Sequence, residues 1–268
     1  MHNQSQTTEE RRNPDVTTTP RSSVSVVIPA KNEEPNIRPV LRGLPGWIKE
    51  VILVDGSSTD GTARAAREVR PDVVLVEEER PGKGAALRSG FSAATGDVIV
   101  MIDADGSMDP AEIERYVNMI ESGDYDVVKG SRRIEGGGST DLTAVRSIGN
   151  RCLLALANLL YGCRFTELCY GFMGFKRSSL KPLDLKADGF EIETEIVVNA
   201  VRAGLKIGEV PSSEAPRSNG CSNLHPIRDG LRILRVLLRP LVAGRRPEKS
   251  PGAHFPEMEV SPGPANGA

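Results

Sequence analysis

Short runs of consecutive β-branched and aliphatic residues, each separated from the next by a segment of helical periodicity, constrain the fold of this chain more than any other feature. They lie at 24–28, 51–54, 73–76, 98–102 and from 126 onward. Between them, Ile37, Val40, Leu41 and Leu44 recur at helical spacing, residues 62–69 and 85–94 read as helices, and Pro110 opens a helix with Ile113, Tyr116, Val117 and Ile120 on one face. Asp60 is the expected N-cap of 62–69. A strand that is apolar at every position must be covered on both faces, so the pattern predicts an α/β fold with a mostly parallel central sheet flanked by helices. The second half is less regular. Helices are expected over 147–161, 190–203 and 225–241, and strands over 171–175 and 207–210.

No linker interrupts residues 23–240, which are expected to form a single domain. The polar segment 1–22 and the Pro- and Gly-rich segment 244–268 are expected to be disordered tails. The N-terminus has no apolar core of a secretory signal, and no run of about 18 apolar residues occurs. Cys152, Cys163, Cys169 and Cys221 form no CxxC pair, so they are expected to be reduced thiols in a cytoplasmic protein. The net charge is −2, which argues against a nucleic-acid partner.

In an open parallel sheet, ligands bind beyond the carboxyl ends of the strands. The residues there are Pro29-Ala30-Lys31-Asn32-Glu33, Asp55-Gly56-Ser57, Pro81-Gly82-Lys83-Gly84, Asp103-Ala104-Asp105 and Lys129-Gly130-Ser131-Arg132-Arg133. Acids, bases and glycines converge on one edge of the predicted sheet.

Asp103 and Asp105 can share one hard divalent cation, Mg²⁺ or Mn²⁺, which prefers oxygen ligands and often bridges phosphates. Such an ion neutralises the charge of a departing nucleoside diphosphate. Asp55 can accept hydrogen bonds from a base or a ribose hydroxyl. Lys83 adds a point charge at a glycine-flanked helix start that also carries Arg88, and helix N-termini attract anions. The GxxxxGK[ST] spacing of a P-loop is absent. Arg132 and Arg217 are candidate phosphate clamps, because guanidinium suits bidentate contact with phosphate oxygens. On a helix Glu191 and Glu195 share a face and Glu193 points elsewhere; one of the three can serve as a general base for a hydroxyl acceptor, or the glutamates belong to a solvated helix face. His225 reads as structural.

Taken in order, these stretches resemble the family 2 glycosyltransferases. The likeness runs through Val27-Ile28-Pro29-Ala30-Lys31-Asn32-Glu33, Val54-Asp55-Gly56-Ser57-Ser58-Thr59-Asp60-Gly61-Thr62, Gly82-Lys83-Gly84 with Arg88 and Gly90, and Asp103-Ala104-Asp105. It continues through Gly130-Ser131-Arg132, Gly189-Phe190-Glu191, and Arg217 with Gly220 and Ser222. Within the family, the chain looks most like the polyprenyl-phosphate (dolichol-phosphate) mannosyl- and glucosyltransferases.

The resemblance implies a GT-A fold and a nucleotide-sugar donor, GDP-mannose or UDP-glucose. It implies that Pro29, Ala30, Asn32, Glu33 and Asp55 form the nucleotide pocket with Lys83, Arg88 and Ala104. Asp103 would touch both the donor and the metal, Asp105 would bind the metal, and Arg132 and Arg217 would hold phosphates. The sequence departs from the family's pattern in three places. Gly56 stands where a second Asp is frequent, Gly106-Ser107 where the polyprenyl branch often has Leu-Gln, and Glu167 where an Asp is usual.

Beyond Asp229, Leu231, Ile233, Leu234, Val236, Leu237, Leu238 and Leu241 interleave with Arg228, Arg232, Arg235 and Arg239, whose spacing forms one basic stripe. A basic amphipathic helix suits an anionic membrane interface. The other reading is a helix packed on the domain with solvated arginines. On the membrane reading, the acceptor that the resemblance implies is a polyprenyl phosphate met at the cytoplasmic membrane face, already ionised and needing no base. The alternative is a soluble hydroxyl acceptor, deprotonated by Glu191 or Glu193.

Overall fold

The computed structural model describes residues 22–140, 144–220 and 224–242. Apart from Ser22, the two expected tails lie outside the described residues, as does Cys221. Strands and helices alternate through β1 (Val24–Ala30), α1 (Glu34–Gly43), β2 (Glu50–Asp55), α2 (Thr62–Val69), β3 (Val74–Glu77), α3 (Lys83–Ala93), β4 (Val98–Met101) and α4 (Ile113–Glu121). They continue through β5 (Val127–Ser131), β6 (Gly138–Ser139), α5 (Ala144–Tyr161), β7 (Met173–Lys176), α6 (Arg177–Leu180), α7 (Ile192–Arg202), β8 (Ile207–Pro211), β9 (Ser213–Glu214) and α8 (Pro226–Val242).

The main sheet has the order β3-β2-β1-β4-β7-β5-β8. Every neighbouring pair is parallel except those made by β7, which runs antiparallel to β4 and β5. The apolar runs are continuous because alternate residues serve two cores. Val26, Ile28, Leu53 and Val100 pack under α1, α2 and α4. Val27, Ile52, Val54 and Met101 pack under α3, α5, α7 and α8.

Three local expectations need correction. Lys129 is not beyond a strand end but inside β5, fully buried, with Nζ 3.1 Å from Glu209 of β8 and 2.5 Å from the Glu167 carbonyl. Helix α3 starts at Lys83, two residues earlier than expected, so the lysine belongs to the helix. Asp60 is not the N-cap of α2, a position Gly61 takes, but stands one residue before it, its Oδ1 accepting the Thr62 amide at 3.0 Å and its Oδ2 the Glu34 amide at 3.1 Å. It thereby fastens the starts of both α1 and α2.

Candidate active site

The carboxyl ends of β1, β2, β4 and β5, with α3, α5, α7 and α8, enclose a cavity of about 1240 Å³. Its wall at β1 is Pro29, Ala30, Asn32 and Glu33. Asn32 adopts a left-handed φ of 58°, an uncommon conformation for a residue with a side chain. That turn aims its Oδ1 at the Thr59 amide (2.8 Å) while its own amide donates to Ser58 Oγ (2.9 Å), locking the first two strand-end loops together. Asp55 is in register with Ala30 but stands one residue behind the wall, which is Gly56 here. Asp55 Oδ1 accepts the Ser58 amide at 2.9 Å and so shapes the turn.

Asp103 and Asp105 follow β4 and line the cavity with Ala104 between them. Lys83 Nζ lies 2.5 Å from Asp103 Oδ1 and 2.8 Å from Glu193 Oε1. Burial opposes the charge on Lys83, but the two carboxylates outweigh it and raise its pKa. Burial also pushes the Asp103 carboxyl up, to about 6, with Asp105 and Glu193 adding to the rise against the pull of Lys83. Asp105 Oδ1 accepts from the Ser107 amide (3.0 Å) and Oγ (2.8 Å). The serine in this departure from the family pattern therefore orients the carboxylate. Asp105 Oδ2 is 3.4 Å from Arg217, whose other nitrogen pairs with Glu33 and whose Nε donates to the Asn219 carbonyl at 2.7 Å. Asn219 in turn donates to Asn36 at 3.0 Å, which closes the loop onto α1.

Among the described residues, no three His, Cys, Asp or Glu side chains gather into a metal-holding group. Two oxygen donors side by side, with no soft ligand, suit a hard cation that draws its remaining ligands from water and phosphate. Asp103 and Asp105 fit Mg²⁺ or Mn²⁺ on those terms.

The glycine-flanked start of α3 is used differently from the expectation. The amides of Gly84 and Ala85 donate to the Asp188 carbonyl at 2.8 and 3.2 Å, so they are not free for an anion. A Cβ at Gly84 would collide with the Ala187 carbonyl. The glycine admits the 187–188 backbone rather than a phosphate. Arg88 holds the same segment, through the Ala187 carbonyl and Asp188 at 2.6 Å, and is not part of the cavity wall.

Arg132 lines the cavity, but its donors are taken. It bonds Glu167 (2.9 Å), Glu214 (2.8 Å) and the Cys169 carbonyl (3.0 Å), and its guanidinium lies 4.7 Å from the Tyr170 ring. Burial works against its charge, yet Glu167 and Glu214 prevail and hold it protonated. Glu209 supports this network from β8 by accepting the Thr166 amide (2.9 Å) and the Glu167 amide (3.2 Å). Glu209 and Glu214 escaped notice in the sequence. The available signal was a lone charge inside each of two neighbouring strands, Lys129 and Glu209, which must either pair or distort the sheet.

The α7 glutamates do not form a solvated face. Glu193 and Glu195 are both buried. Glu195 accepts the amides of Lys186 (2.8 Å) and Ala187 (2.7 Å), while Glu193 faces the cavity beside Lys83. Glu191 also lines the cavity, and its buried Oε2 has no hydrogen-bond partner. Gly171 is close enough to the Lys83–Glu193 pair that any side chain there would strike both. Cys169 is pushed up to about 12 by burial and by the nearby Glu193 and Glu167, so it stays a thiol.

The far wall comprises Arg146, Asn150 and Leu153 of α5 with Ile227, Arg228 and Arg232 of α8. Helix α8 divides its apolar residues between two stripes. Ile233 and Leu237 are buried against the domain, whereas Ile227, Leu231 and Leu238 are exposed at 71%, 62% and 37%. The exposed stripe runs beside Arg228, Arg232, Arg235 and Arg239. His225 serves as expected, its amide tied to the buried Asp229 at 2.7 Å. No helix among the described residues is long and apolar enough to cross a membrane.

The sequence model for Glycosyl transferase family 2 matches residues 25–183. The chain is 31% identical to "Glycosyltransferase AglJ" of Haloferax volcanii over 220 residues, covering 81% of this chain and 71% of that protein. It is 33% identical to "Low-salt glycan biosynthesis hexosyltransferase Agl6" of the same organism, covering 81% of this chain and 53%, about half, of the relative. Among solved structures it is similar to glucosyl-3-phosphoglycerate synthase from Mycobacterium tuberculosis in complex with Mn²⁺, UDP-glucose and phosphoglyceric acid. That match has a TM-score of 0.67 and 27% identity, covering 82% of this chain and 79% of the other. The same synthase has also been crystallised with Mg²⁺ and UDP, at a TM-score of 0.65 and 26% identity, covering 82% of this chain and 79% of the other.

Proposed function

The chain belongs to glycosyl transferase family 2 and is a glycosyltransferase of GT-A fold, and on that premise we propose that it moves a hexose from GDP-mannose or UDP-glucose to a polyprenyl phosphate, with inversion at the anomeric carbon. One observation carries the choice of acceptor. The cavity that holds Asp103 and Asp105 is walled on its far side by Ile227, Arg228 and Arg232 of α8, and outside the cavity the same helix exposes Leu231 and Leu238 beside Arg235 and Arg239. A helix of that kind suits the boundary of an anionic bilayer, with its apolar side chains among acyl chains and its arginines at the head groups. A lipid phosphate held there meets the donor from within the membrane plane.

On this proposal the donor's base and ribose lie along Pro29, Ala30, Asn32 and Glu33. Asp103 and Asp105 hold Mg²⁺ or Mn²⁺, which when bound neutralises the charge developing on the departing diphosphate. Lys83 keeps Asp103 in position and Ser107 does the same for Asp105. Arg217, now shared between Asp105 and Glu33, exchanges a carboxylate for a phosphate oxygen when the donor enters. The acceptor phosphate is an anion at neutral pH, so it attacks without a general base.

Glu193 supports a second possibility, a hydroxyl acceptor. It lies in the cavity wall, where a carboxylate can take a proton from a bound hydroxyl, and Lys83 holds its Oε1 at 2.8 Å.

The test is transfer of labelled sugar from each donor into an organic-extractable product, with polyprenyl phosphate and Mg²⁺ or Mn²⁺. EDTA and Asp105→Ala serve as controls. Metal-dependent lipid label that the variant loses supports the lipid-phosphate acceptor and names the sugar. Nucleoside diphosphate release only with a hydroxyl acceptor, abolished in Glu193→Gln, would instead establish the second possibility.

A further inference from the structure

A second concavity, about 550 Å³, lies on the other flank of α5, lined by Arg133, Arg151, Leu154, Ala155 and Asn158. It is separate from the catalytic cavity. The large cavity takes Arg146, Gly149, Asn150 and Leu153 from α5, whereas the groove takes residues five positions further along, about 140° around the helix. Arg132 and Arg133 are sequence neighbours, yet the first lines the large cavity and the second lines the groove.

Arg133 lacks the partners that a mostly buried guanidinium requires. Its Nε and one terminal nitrogen are buried without a hydrogen-bond partner. Among the described residues its one ion-pair partner is Glu167, whose Oε2 is 3.9 Å from Arg133 Nε, too far for a hydrogen bond, because Arg132 holds that oxygen at 2.9 Å. Side-chain exposure of Arg133 is only 22%, so water cannot hydrate it fully. Buried donors of this kind are almost always paired, and each one left unpaired is destabilising. Arg151 adds a second, exposed guanidinium to the rim, and no carboxylate is among the lining residues. Asn158 already spends its amide on the Phe165 backbone at 2.9 and 3.0 Å, so it does not answer Arg133. The accessible part of the Arg133 side chain and the exposed Arg151 guanidinium face a concavity whose lining holds no acid, a charge pattern that suits the oxygens of a phosphate.

We propose that this groove is an anion site that takes a phosphate or phosphate ester, distinct from the donor cavity and independent of which acceptor the enzyme uses. The phosphate belongs either to a soluble molecule or to a lipid head group. Leu159, one turn beyond Ala155 and 79% exposed, lies where an acyl chain would follow a head group.

The experiment uses the full chain, Arg133→Met and Arg151→Met. Thermal melting is followed with inorganic phosphate against chloride at equal ionic strength, and vesicle binding with phosphatidylglycerol against phosphatidylcholine. In chloride, Arg133→Met is expected to melt no lower than the wild type, since it removes unpaired donors. Saturating phosphate should raise the wild-type midpoint by about 2–4 °C, and each variant should lose at least about tenfold in phosphate affinity. Phosphate stabilisation that depends on Arg133, with vesicle binding unchanged by the variant, supports the site and makes the ligand soluble. Phosphatidylglycerol binding lost in Arg133→Met, with no effect of free phosphate, supports the site and makes the ligand a head group. Equal stabilisation and equal vesicle binding in all three proteins would overturn the proposal. A midpoint several degrees lower for Arg133→Met in chloride would also overturn it, by making the arginine an ordinary structural partner of Glu167.

Discussion

At the scale of single residues, the chemistry of the cavity depends on carboxylates whose neighbours determine their charge and direction. Asp105 is the clearest case, since Ser107 fixes one oxygen and Arg217 faces the other. Asp105→Ala is expected to lower the transfer rate by at least about a hundredfold, with little change in melting temperature. Steady-state rates together with a thermal melt check both halves. Away from the cavity, Glu78 gives a pH-dependent prediction. Hydrogen bonds from Arg80 and Ser89 pull its carboxyl from 4.5 down to about 2. A carboxyl with a lower pKa in the folded state stabilises the fold above its unfolded value, and that contribution fades as pH falls towards its folded value. The difference in melting temperature between wild type and Glu78→Gln should therefore be present at pH 6 and shrink between about pH 4.5 and 2. A difference that stays constant across that window would contradict the assignment.

At the scale of elements, β5 and β8 are joined by a charge pair within the sheet as well as by their ladder. Lys129 and Glu209 are both shielded from water, and Glu209 also holds the loop that carries Glu167. Lys129→Met leaves that glutamate charged and unpaired, so we expect a loss of about 3–5 kcal/mol in urea unfolding. Adding Glu209→Gln should restore part of it, because the unpaired charge is then gone. Helix α8 gives a second comparison within one element. Ile233→Ala removes a buried side chain and is expected to cost about 2–4 kcal/mol. Leu231→Ser changes an exposed one and should stay within about 0.5 kcal/mol. Equal losses at the two positions would mean that the outer stripe of α8 is covered.

At the scale of the whole molecule, the sheet brings four strand ends and four helices around one cavity, and α8 forms both a wall of that cavity and an outer surface. If that surface meets a bilayer, then Leu231→Glu with Leu238→Glu should reduce binding to anionic vesicles at least about tenfold. The same double variant should leave nucleotide binding unchanged, since neither side chain lines the cavity. Cosedimentation and nucleotide titration of the one protein read the two effects separately. Vesicle binding that survives the double variant would remove the main support for a lipid acceptor.

The sequence by itself determined the sheet and its chemical edge. Continuous apolar runs such as 51–54 have only one stable solution, burial on both faces, and in such a sheet the polar residues that follow the strands gather at one end. Asp103, Asp105, Arg132 and Glu33 were legible on those grounds, because their placement follows from strand direction alone, whereas Arg217, in a polar loop, was legible only from its chemistry and the family resemblance. The partners of each charge were not legible, since they depend on contacts between residues far apart in the chain. Only the tertiary structure reveals that Arg132 is held by Glu167 and Glu214, that Lys83 bridges Asp103 and Glu193, and that the Gly84 amide answers the Asp188 carbonyl. The reversed direction of β7 belongs with these, because a strand of four residues carries no sign of its orientation until it must fit between β4 and β5. Strand burial is a local property of the chain, whereas the pairing of a buried charge is decided by whichever distant group the fold brings within about 3 Å.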